Sequence, residues 1–238
     1  MERKDIGTLF DGIAGTYDRF NHLLSLNVDK VWRRKAVQSL RRGDKVLDVA
    51  TGTADLALEI IRQEKAGEVT GIDISSGMTE IGRKKIEKRG LSERIVLSEG
   101  SALDIPFPDG SFDAVTCAYG VRNFSNPDRG LREMYRVLRS GGQLAILEFS
   151  YPSGKITGKI YDTLFTRLMP AVGKAISRDE KAYLYFRDSV KGFVWGEEMA
   201  GKIAAAGFVN VRFKPMTFGI STLYTAEKKL FTATSERT

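Results

Sequence analysis

Residues 45–55, Lys-Val-Leu-Asp-Val-Ala-Thr-Gly-Thr-Ala-Asp, decide the fold. Their first half is a short apolar run of the kind that a buried parallel strand requires. The run breaks at the small residues 50–53, which permit a tight turn and the close approach of a ligand. Apolar residues then recur at roughly helical spacing over 56–61. A strand, a small-residue turn and a helix in this order predict the opening unit of a nucleotide-binding α/β fold.

A second predicted strand, 68–73, ends in an acid, Asp73. A carboxylate at this strand end can accept hydrogen bonds from both hydroxyls of a ribose, so we expect a nucleoside-bearing cofactor. The turn is not G-x-G-x-x-G, because Ala50 and Ala54 stand where two glycines would be. It resembles instead the D-x-x-x-G-T-x-D turn of class I S-adenosylmethionine-dependent methyltransferases, whose cofactor has no pyrophosphate to hold.

Composition narrows the class of protein. The 238 residues suffice for one large α/β domain. No apolar run approaches the roughly 20 residues of a spanning helix, and the N-terminus lacks the apolar segment of a signal peptide. The single cysteine, Cys117, excludes an internal disulfide and is predicted to be a buried thiol in a reducing cytoplasm. We predict no metal site.

The net charge of +7 has three explanations. Nucleic acid and an anionic membrane surface both attract a basic protein, and a solvated basic surface accounts for the charge equally well. The basic residues at 33–35 and 41–42 are interpreted as a solvated helix face rather than as a membrane or partner contact.

Two further stretches resemble a narrower family, the menaquinone/ubiquinone biosynthesis C-methyltransferases. The first is Tyr17-Asp18-x-x-Asn21-x-x-Leu24-Ser25, followed by Trp32. The second, over 136–150, is Arg-Val-Leu-Arg-Ser-Gly-Gly-x-Leu-x-x-Leu-Glu-Phe-Ser. In the first stretch Phe20 replaces a usual methionine, and further along Asp29 replaces a usual histidine. The resemblance covers roughly residues 8 to 228.

This resemblance implies a Rossmann-like α/β fold with a mostly parallel seven-stranded sheet, and S-adenosyl-L-methionine as the cofactor. It implies C-methylation of demethylmenaquinol to menaquinol, the last step of menaquinone (vitamin K2) biosynthesis. C-methylation of a 2-polyprenyl-6-methoxy-1,4-benzoquinol in ubiquinone biosynthesis, or both reactions, is the alternative within the family. Ala54 favours the menaquinone substrate, because menaquinone-only members have a similar turn. A prenylated quinol implies a cytoplasmic protein peripheral to the inner face of the membrane, and a homodimer is a further expectation.

Two other functions are weighed against this one. An RNA methyltransferase would suit the sequence pI of about 9.4. It would also need aromatic platforms interleaved with basic residues, and the aromatic-rich stretch 151–195 is too sparsely basic. We therefore expect no nucleic-acid partner. A non-catalytic cofactor-binding assembly protein should lack Asp73 or the pair Arg122 and Asn123, and all three are present.

We predict a single domain, 1–238, with five parts. They are an N-terminal helical cap (1–40), a cofactor-binding core (41–150), an inserted helical lid (151–195), a C-terminal helix with strands (196–228) and a polar tail (229–238). The lid is interpreted as a cover for the substrate, and extra core is the alternative. The predicted helices are 5–20, 54–65, one from Ser75 or Ser76 to about Lys88, 127–139, and 197–206 ending at Gly207; the remaining strands are 95–97, 114–119, 143–149, 209–213 and 218–226.

The expected cofactor site follows the ends of the predicted strands. Its candidate residues are Asp48, Gly52, Thr53, Asp73, Ser101, Ala102 and Ala118. By resemblance, Gly52 and Thr53 surround the amino acid moiety and Asp73 binds the ribose. Ser101 and Ala102 meet the adenine, and the serine hydroxyl can accept a hydrogen bond from its amino group. Ala118 offers its backbone near the methionyl end, and Asp48 orients the turn or reaches the cofactor's amino group through water.

The candidate catalytic residues are Arg122, Asn123, Tyr17 and His22. The segment 120–123 matches the family's G-x-R-N and follows a predicted strand end, where ligands of open α/β sheets bind. Arg122 and Asn123 are expected to contact quinol oxygens, and Arg122 could stabilise a phenolate or position a water; a surface ion pair is its alternative role. Tyr17 could line the ring, and His22 is the one histidine that could act as a base.

Overall fold

The computed structural model describes residues 7–8, 10–12, 14–15, 25, 27–152, 154, 158 and 180–230, with side chains from 185 onward in the last segment. Its strands are β1 (Gly43–Val49), β2 (Ala66–Asp73), β3 (Ile95–Glu99), β4 (Phe112–Ala118), β5 (Leu138–Phe149), β6 (Val209–Met216) and β7 (Ser221–Glu227). Its helices are α1 (Val28–Gln38), α2 (Asp55–Arg62), α3 (Ser76–Glu87), α4 (Pro127–Val137), α5 (Glu180–Gly192) and α6 (Glu197–Ala205).

The seven strands form one sheet in the order β3-β2-β1-β4-β5-β7-β6. The first five strands along the chain pair in parallel, and β7 is antiparallel to both of its neighbours. The carboxyl ends of β1 to β5 therefore meet at one edge of the sheet. The strand order reverses between β1 and β4, which is where an open α/β sheet places its ligand. This topology confirms the predicted fold class.

Side-chain alternation along the strands supplies a core on each face of the sheet. Leu47 of β1 packs in a cluster with Leu131 of α4 and Met199 of α6. Its neighbour Val46 packs on the opposite face, in a cluster with Ile60 of α2. Burial of each such aliphatic side chain contributes about 1.5–3 kcal/mol. The thiol of Cys117 is completely buried in the first cluster, as predicted.

Helix α3 begins where the sequence predicts. The hydroxyl of Ser75 accepts a hydrogen bond from the backbone N–H of Met78 over 3.1 Å, which satisfies one of the unpaired donors of the first turn. The same hydroxyl donates to Oδ1 of Asp11, which also accepts from the N–H of Gly77. Described residues of the predicted 5–20 helix thus attach to the start of α3, beside the carboxyl end of β2.

Several predicted boundaries differ from the structure by a few residues, and two of these differences have a clear local cause. Helix α4 ends at Val137 rather than at residue 139, because Leu138 is extended and begins β5, opposite Phe112 of β4. The last strand begins at Ser221 rather than at residue 218, because Thr217–Gly219 forms a short 3-10 turn. In the described part of the chain, every helix is too short or too polar to cross a bilayer.

Candidate functional site

A pocket opens at the carboxyl ends of the strands, beside the point where the strand order reverses. Its empty volume, including the open space at its mouth, is about 750 Å³. Most of its lining is apolar, with Phe10, Met78 and Phe124 among the larger side chains. The pocket brings together these sequence-predicted residues: Gly52, Asp73, Ser101, Ala102, Ala118 and Asn123.

The carboxylate of Asp73 is fixed at the end of β2. Its Oδ2 accepts a hydrogen bond from the backbone N–H of Gly52 over 2.8 Å, and its Oδ1 accepts from the N–H of Ser75 over 2.9 Å. Burial raises the pKa of the Asp73 carboxyl, and these N–H groups act against that rise. A carboxylate has about four lone-pair sites, so it retains acceptors for the two hydroxyls of a ribose.

The turn around Gly52 leaves the backbone open to a ligand. Gly52 has a left-handed backbone, with φ of +55°, and a Cβ placed there would meet no other atom of the described chain within 4 Å. At the other end of the pocket, the hydroxyl of Ser101 accepts a hydrogen bond from the N–H of Leu103 over 3.2 Å. A turn whose glycine backbone borders the pocket, a carboxylate held in place and a mostly apolar lining together fit an adenosyl group.

Asp48 and Thr53 lie behind this turn, in an adjoining cavity of about 360 Å³ including open space. Asp48 accepts hydrogen bonds from the hydroxyls of Thr51 and Thr116, both over 2.7 Å. Burial raises the pKa of the Asp48 carboxyl to about 6. Thr53 accepts from Nζ of Lys85 over 2.9 Å. Asp48 thus fastens the turn, and direct contact of either side chain with the cofactor stays a prediction.

The guanidinium of Arg122 lies behind the pocket wall. Its Nη1 donates to Oε1 of Glu148 over 2.8 Å and to the backbone carbonyl of Tyr119. Its Cζ lies 5.3 Å and 5.4 Å from the ring centroids of Phe149 and Phe186. The side chain is only 4% exposed. The alternative of a surface ion pair is therefore wrong, since this ion pair is buried, and contact with a quinol oxygen stays a prediction.

Asn123, the neighbour of Arg122, lines the pocket itself. Its Oδ1 accepts a hydrogen bond from the hydroxyl of Tyr185 over 2.9 Å, and its Nδ2 donates to the carbonyl of Tyr119 over 3.3 Å. The ring of Tyr185 meets that of Phe10 edge-on, with centroids 6.4 Å apart. Parts of the predicted cap and lid therefore meet beside Asn123. Tyr17 and His22, the other candidate catalytic residues, lie outside the described residues.

The interpretation of Arg33 as part of a solvated helix face is wrong. Arg33 is 8% exposed, and its Nη1 donates to Oδ2 of Asp29 over 2.5 Å. Its Cζ lies 5.7 Å from the ring centroid of Tyr119. Arg33 lies on the side of α1 that faces the end of β4, away from water. The spacing of four residues between Asp29 and Arg33, which places both on one helix face, was the available sequence signal.

Comparison with known proteins identifies the family. The sequence profile of the ubiE/COQ5 methyltransferase family matches residues 1–228. The demethylmenaquinone methyltransferase of Bacteroides fragilis is 43% identical over 228 residues, covering 94% of this chain and 93% of that protein. The ubiquinone/menaquinone biosynthesis C-methyltransferase UbiE of Geobacter sulfurreducens is 44% identical over 228 residues, covering 94% and 89%.

Among solved structures, that of the cyclase SpnF is similar with a TM-score of 0.71. The match covers 95% of this chain and 96% of that one at 19% sequence identity, so it supports the fold alone. The family profile and the two relatives each match more than nine-tenths of the chain, and the protein therefore belongs to the ubiE/COQ5 methyltransferase family.

Proposed function

We propose that this methyltransferase transfers a methyl group from S-adenosylmethionine to a ring carbon of demethylmenaquinol. The observation that carries the proposal is the similarity, over nearly the whole chain, to the demethylmenaquinone methyltransferase of B. fragilis. The mostly apolar pocket at the strand ends suits an aromatic ring beside an adenosyl group.

Asp73 binds the ribose hydroxyls of the cofactor in this proposal, and Gly52 lets the sulfonium end approach the backbone. Ser101 and Ala102 flank the adenine, and Ala118 lies near the methionyl end. The support is that these five residues line the same pocket and that the Asp73 carboxylate accepts hydrogen bonds from two backbone N–H groups.

The bound cofactor supplies an already electrophilic methyl group, so the protein's task is to orient the ring and exclude water. Asn123 has its Oδ1 engaged by Tyr185, and its Nδ2 donates to Tyr119. The amide group is therefore fixed, and the second N–H of Nδ2 is the donor proposed for a quinol oxygen. Arg122 acts through its positive charge, which favours a phenolate near it, because a guanidinium cannot serve as a base at ordinary pH.

The cap and the lid are proposed to close this site as parts of one domain. Phe10 of the cap lines the pocket, and Asp11 ties the cap to the start of α3. Tyr185 and Phe186 of α5, within the predicted lid, contact Asn123 and cover Arg122. Such covers keep water from an electrophilic methyl group.

The second candidate substrate is the methoxybenzoquinol precursor of ubiquinone. It is favoured by the similarity to the G. sulfurreducens protein, whose name includes both pathways. Both quinols present an aromatic ring with a prenyl tail and a hydroxyl beside the reacting carbon, so the same Asn123 donor serves either one.

We further propose that the protein works at an anionic membrane surface. A groove lined by helices α1, α2 and α3 carries an excess of positive charge, with Lys30, Arg34, Arg62 and Arg89 among its lining residues. Basic clusters bind anionic lipid at about 1 kcal/mol per residue close to the surface. Co-sedimentation with vesicles containing 30% phosphatidylglycerol checks this, with phosphatidylcholine vesicles as the control; equal pelleting with both would contradict it.

The decisive experiment is transfer of labelled methyl from S-adenosylmethionine in detergent or liposomes. Demethylmenaquinol, the methoxybenzoquinol and total RNA are offered side by side. We expect label in demethylmenaquinol. Label in both quinols would establish a dual-pathway enzyme, and label only in the benzoquinol or in RNA would overturn the proposal.

A further inference from the structure

The cavity behind the Gly52 turn differs in chemistry from the pocket in front of it. The two share Ala50, Gly52, Ala118 and Tyr119 in their walls, so they adjoin across the turn. The front pocket is mostly apolar, whereas the lining of the rear cavity includes the charged side chains of Arg33, Asp48 and Asp55. We propose that Arg33 binds the α-carboxylate of the cofactor's methionyl group in this rear cavity.

Arg33 is the one cation among the residues that line the rear cavity. Its side chain is 9% exposed, and among the described residues its guanidinium makes one hydrogen bond, from Nη1 to Asp29. Nη2 lies 3.6 Å from Oδ2 of Asp55, beyond hydrogen-bond distance. A guanidinium has five N–H donors, so a planar fork remains available for a carboxylate.

The surroundings hold this group charged and in place. Burial disfavours the charged form, but the carboxylates of Asp55 and Asp29 outweigh it and raise the pKa of Arg33. Asp29 is 2% exposed and also accepts a hydrogen bond from the hydroxyl of Ser25 over 2.5 Å. Asp29, which stands where the family signature usually has histidine, is therefore a positioning residue for Arg33.

The distribution of charge also matches an amino acid. An α-amino acid end carries one anionic and one cationic group, and the rear cavity presents Arg33 together with the carboxylates of Asp48 and Asp55. A cofactor held with its adenosine between Asp73 and Ser101 would direct its sulfonium end towards Gly52, and the adjoining cavity would then receive its amino acid tail. This inference rests on the cofactor of the family and not on the identity of the quinol.

Binding measured without any quinol tests the proposal. Isothermal titration gives the Kd of S-adenosylhomocysteine, of its decarboxylated analogue and of 5′-methylthioadenosine, which lacks the amino acid end. We expect the wild-type protein to bind S-adenosylhomocysteine at least tenfold more tightly than the decarboxylated analogue, in line with charged hydrogen bonds. Equal affinities in the wild-type protein would overturn the proposal without any variant.

Arg33→Met assigns this preference to one side chain. We expect this variant to raise the Kd of S-adenosylhomocysteine by about 10- to 100-fold. The Kd of 5′-methylthioadenosine should stay within about threefold of the wild-type value, and the preference for S-adenosylhomocysteine over its decarboxylated analogue should disappear. Arg33→Lys should restore part of the loss, and Lys35→Met, at an exposed position of α1, should leave the Kd of all three ligands unchanged. If Arg33 had only a structural role, Arg33→Met would raise the Kd of all three ligands equally, and that result would overturn the proposal.

Asp29→Asn keeps the Arg33 guanidinium but removes the negative charge that holds it in place. This variant replaces Arg33→Met in the test if Arg33→Met does not fold. We expect a threefold to tenfold loss confined to S-adenosylhomocysteine, since the decarboxylated analogue has no carboxylate for Arg33 to hold. An equal loss for the two ligands would contradict the positioning role of Asp29. Because quinol is absent throughout, these outcomes are independent of which quinol the enzyme methylates.

Discussion

The guanidinium of Arg122 and the carboxylate of Glu148 form a buried ion pair, with 2.8 Å between Nη1 and Oε1 and side-chain exposures of 4% and 1%. Glu148 also accepts from the backbone N–H groups of Arg122 and Phe149. Removing one partner leaves the other charge buried, so we expect Glu148→Ala to lower the free energy of unfolding by about 3–5 kcal/mol. Urea denaturation followed by circular dichroism measures this.

A double variant separates charge from packing at this pair. Arg122→Met with Glu148→Leu removes both charges and keeps apolar volume under Phe149 and Phe186. We expect it to be more stable than Glu148→Ala alone. The matched single variants are Arg122→Met and Glu148→Leu. If the double variant loses as much unfolding free energy as these two single variants lose together, the ion pair does not couple the two residues.

The sequence predicts the sheet well because each buried strand is marked by an apolar run within a few consecutive residues. The apolar run before Gly52 and the acid that ends the next strand are each read within a few residues. Their meeting, with 2.8 Å between the Gly52 nitrogen and the Asp73 carboxylate, follows from the parallel pairing of β1 with β2. This side of the pocket is therefore predictable from the strand ends.

The other wall of the site depends on contacts that no local pattern encodes. Tyr185 reaches Asn123 across 62 positions of sequence, and the rings of Phe10 and Tyr185 meet across an even longer separation. Arg33 is part of a basic run that resembles any solvated helix face, yet it is buried while its neighbours Arg34 and Lys35 are exposed. Tertiary packing, rather than propensity, decides which of two adjacent arginines is buried.

Asp73→Asn tests the ribose contact. An asparagine oxygen can accept from only one of the N–H groups of Gly52 and Ser75, and its NH₂ group would face the other donor. We expect the Kd of S-adenosylhomocysteine to rise by about 10- to 100-fold. Isothermal titration measures it, with Asp104→Asn on the exposed stretch after β3 as the matched control. Unchanged affinity would exclude Asp73 from the cofactor site.

Gly120→Ala tests the packing beneath the pocket floor. Its φ of −104° accepts alanine, but the added Cβ would lie 2.6 Å from Cβ of Ala50 and 2.8 Å from Sγ of Cys117. We expect a loss of about 1–3 kcal/mol in the free energy of unfolding, with partial recovery when Ala50→Gly is added. Gly201→Ala in α6, where an added Cβ meets no atom within 4 Å, should instead raise the free energy of unfolding, because alanine favours a helix more than glycine does. Equal thermal shifts for the two alanine variants would refute this.

Tyr185→Phe tests the support of Asn123. The variant removes the hydroxyl that donates to Asn123 Oδ1 but keeps the ring against Phe10. A hydrogen bond of this kind contributes about 0.5–1.5 kcal/mol, so we expect kcat to fall by about twofold to tenfold with the Kd of S-adenosylhomocysteine unchanged. Tyr135→Phe, whose ring packs on Phe208 away from the pocket, is the control. A loss of cofactor affinity instead of kcat would place Tyr185 in the cofactor site.

Asp48→Asn tests the buried carboxyl that fastens the turn. Burial raises the pKa of Asp48 from 3.8 to about 6 in the folded protein, so between these values the folded state binds more protons than the unfolded state. The free energy of unfolding therefore falls as the pH rises from about 4 to 6, and this loss remains above pH 6. From the shift in pKa, the group's contribution is about 3 kcal/mol.

We therefore expect the stability of Asp48→Asn, relative to the wild-type protein, to improve by up to about 3 kcal/mol between pH 4 and pH 7. Asparagine still offers an oxygen to one of Thr51 and Thr116, and its NH₂ group can donate to the other hydroxyl oxygen. Urea denaturation at pH 4, 5, 6 and 7 measures the difference, and Asp104→Asn, at an exposed position, should show none. A difference that is constant across this range would mean that Asp48 titrates alike in the folded and unfolded states.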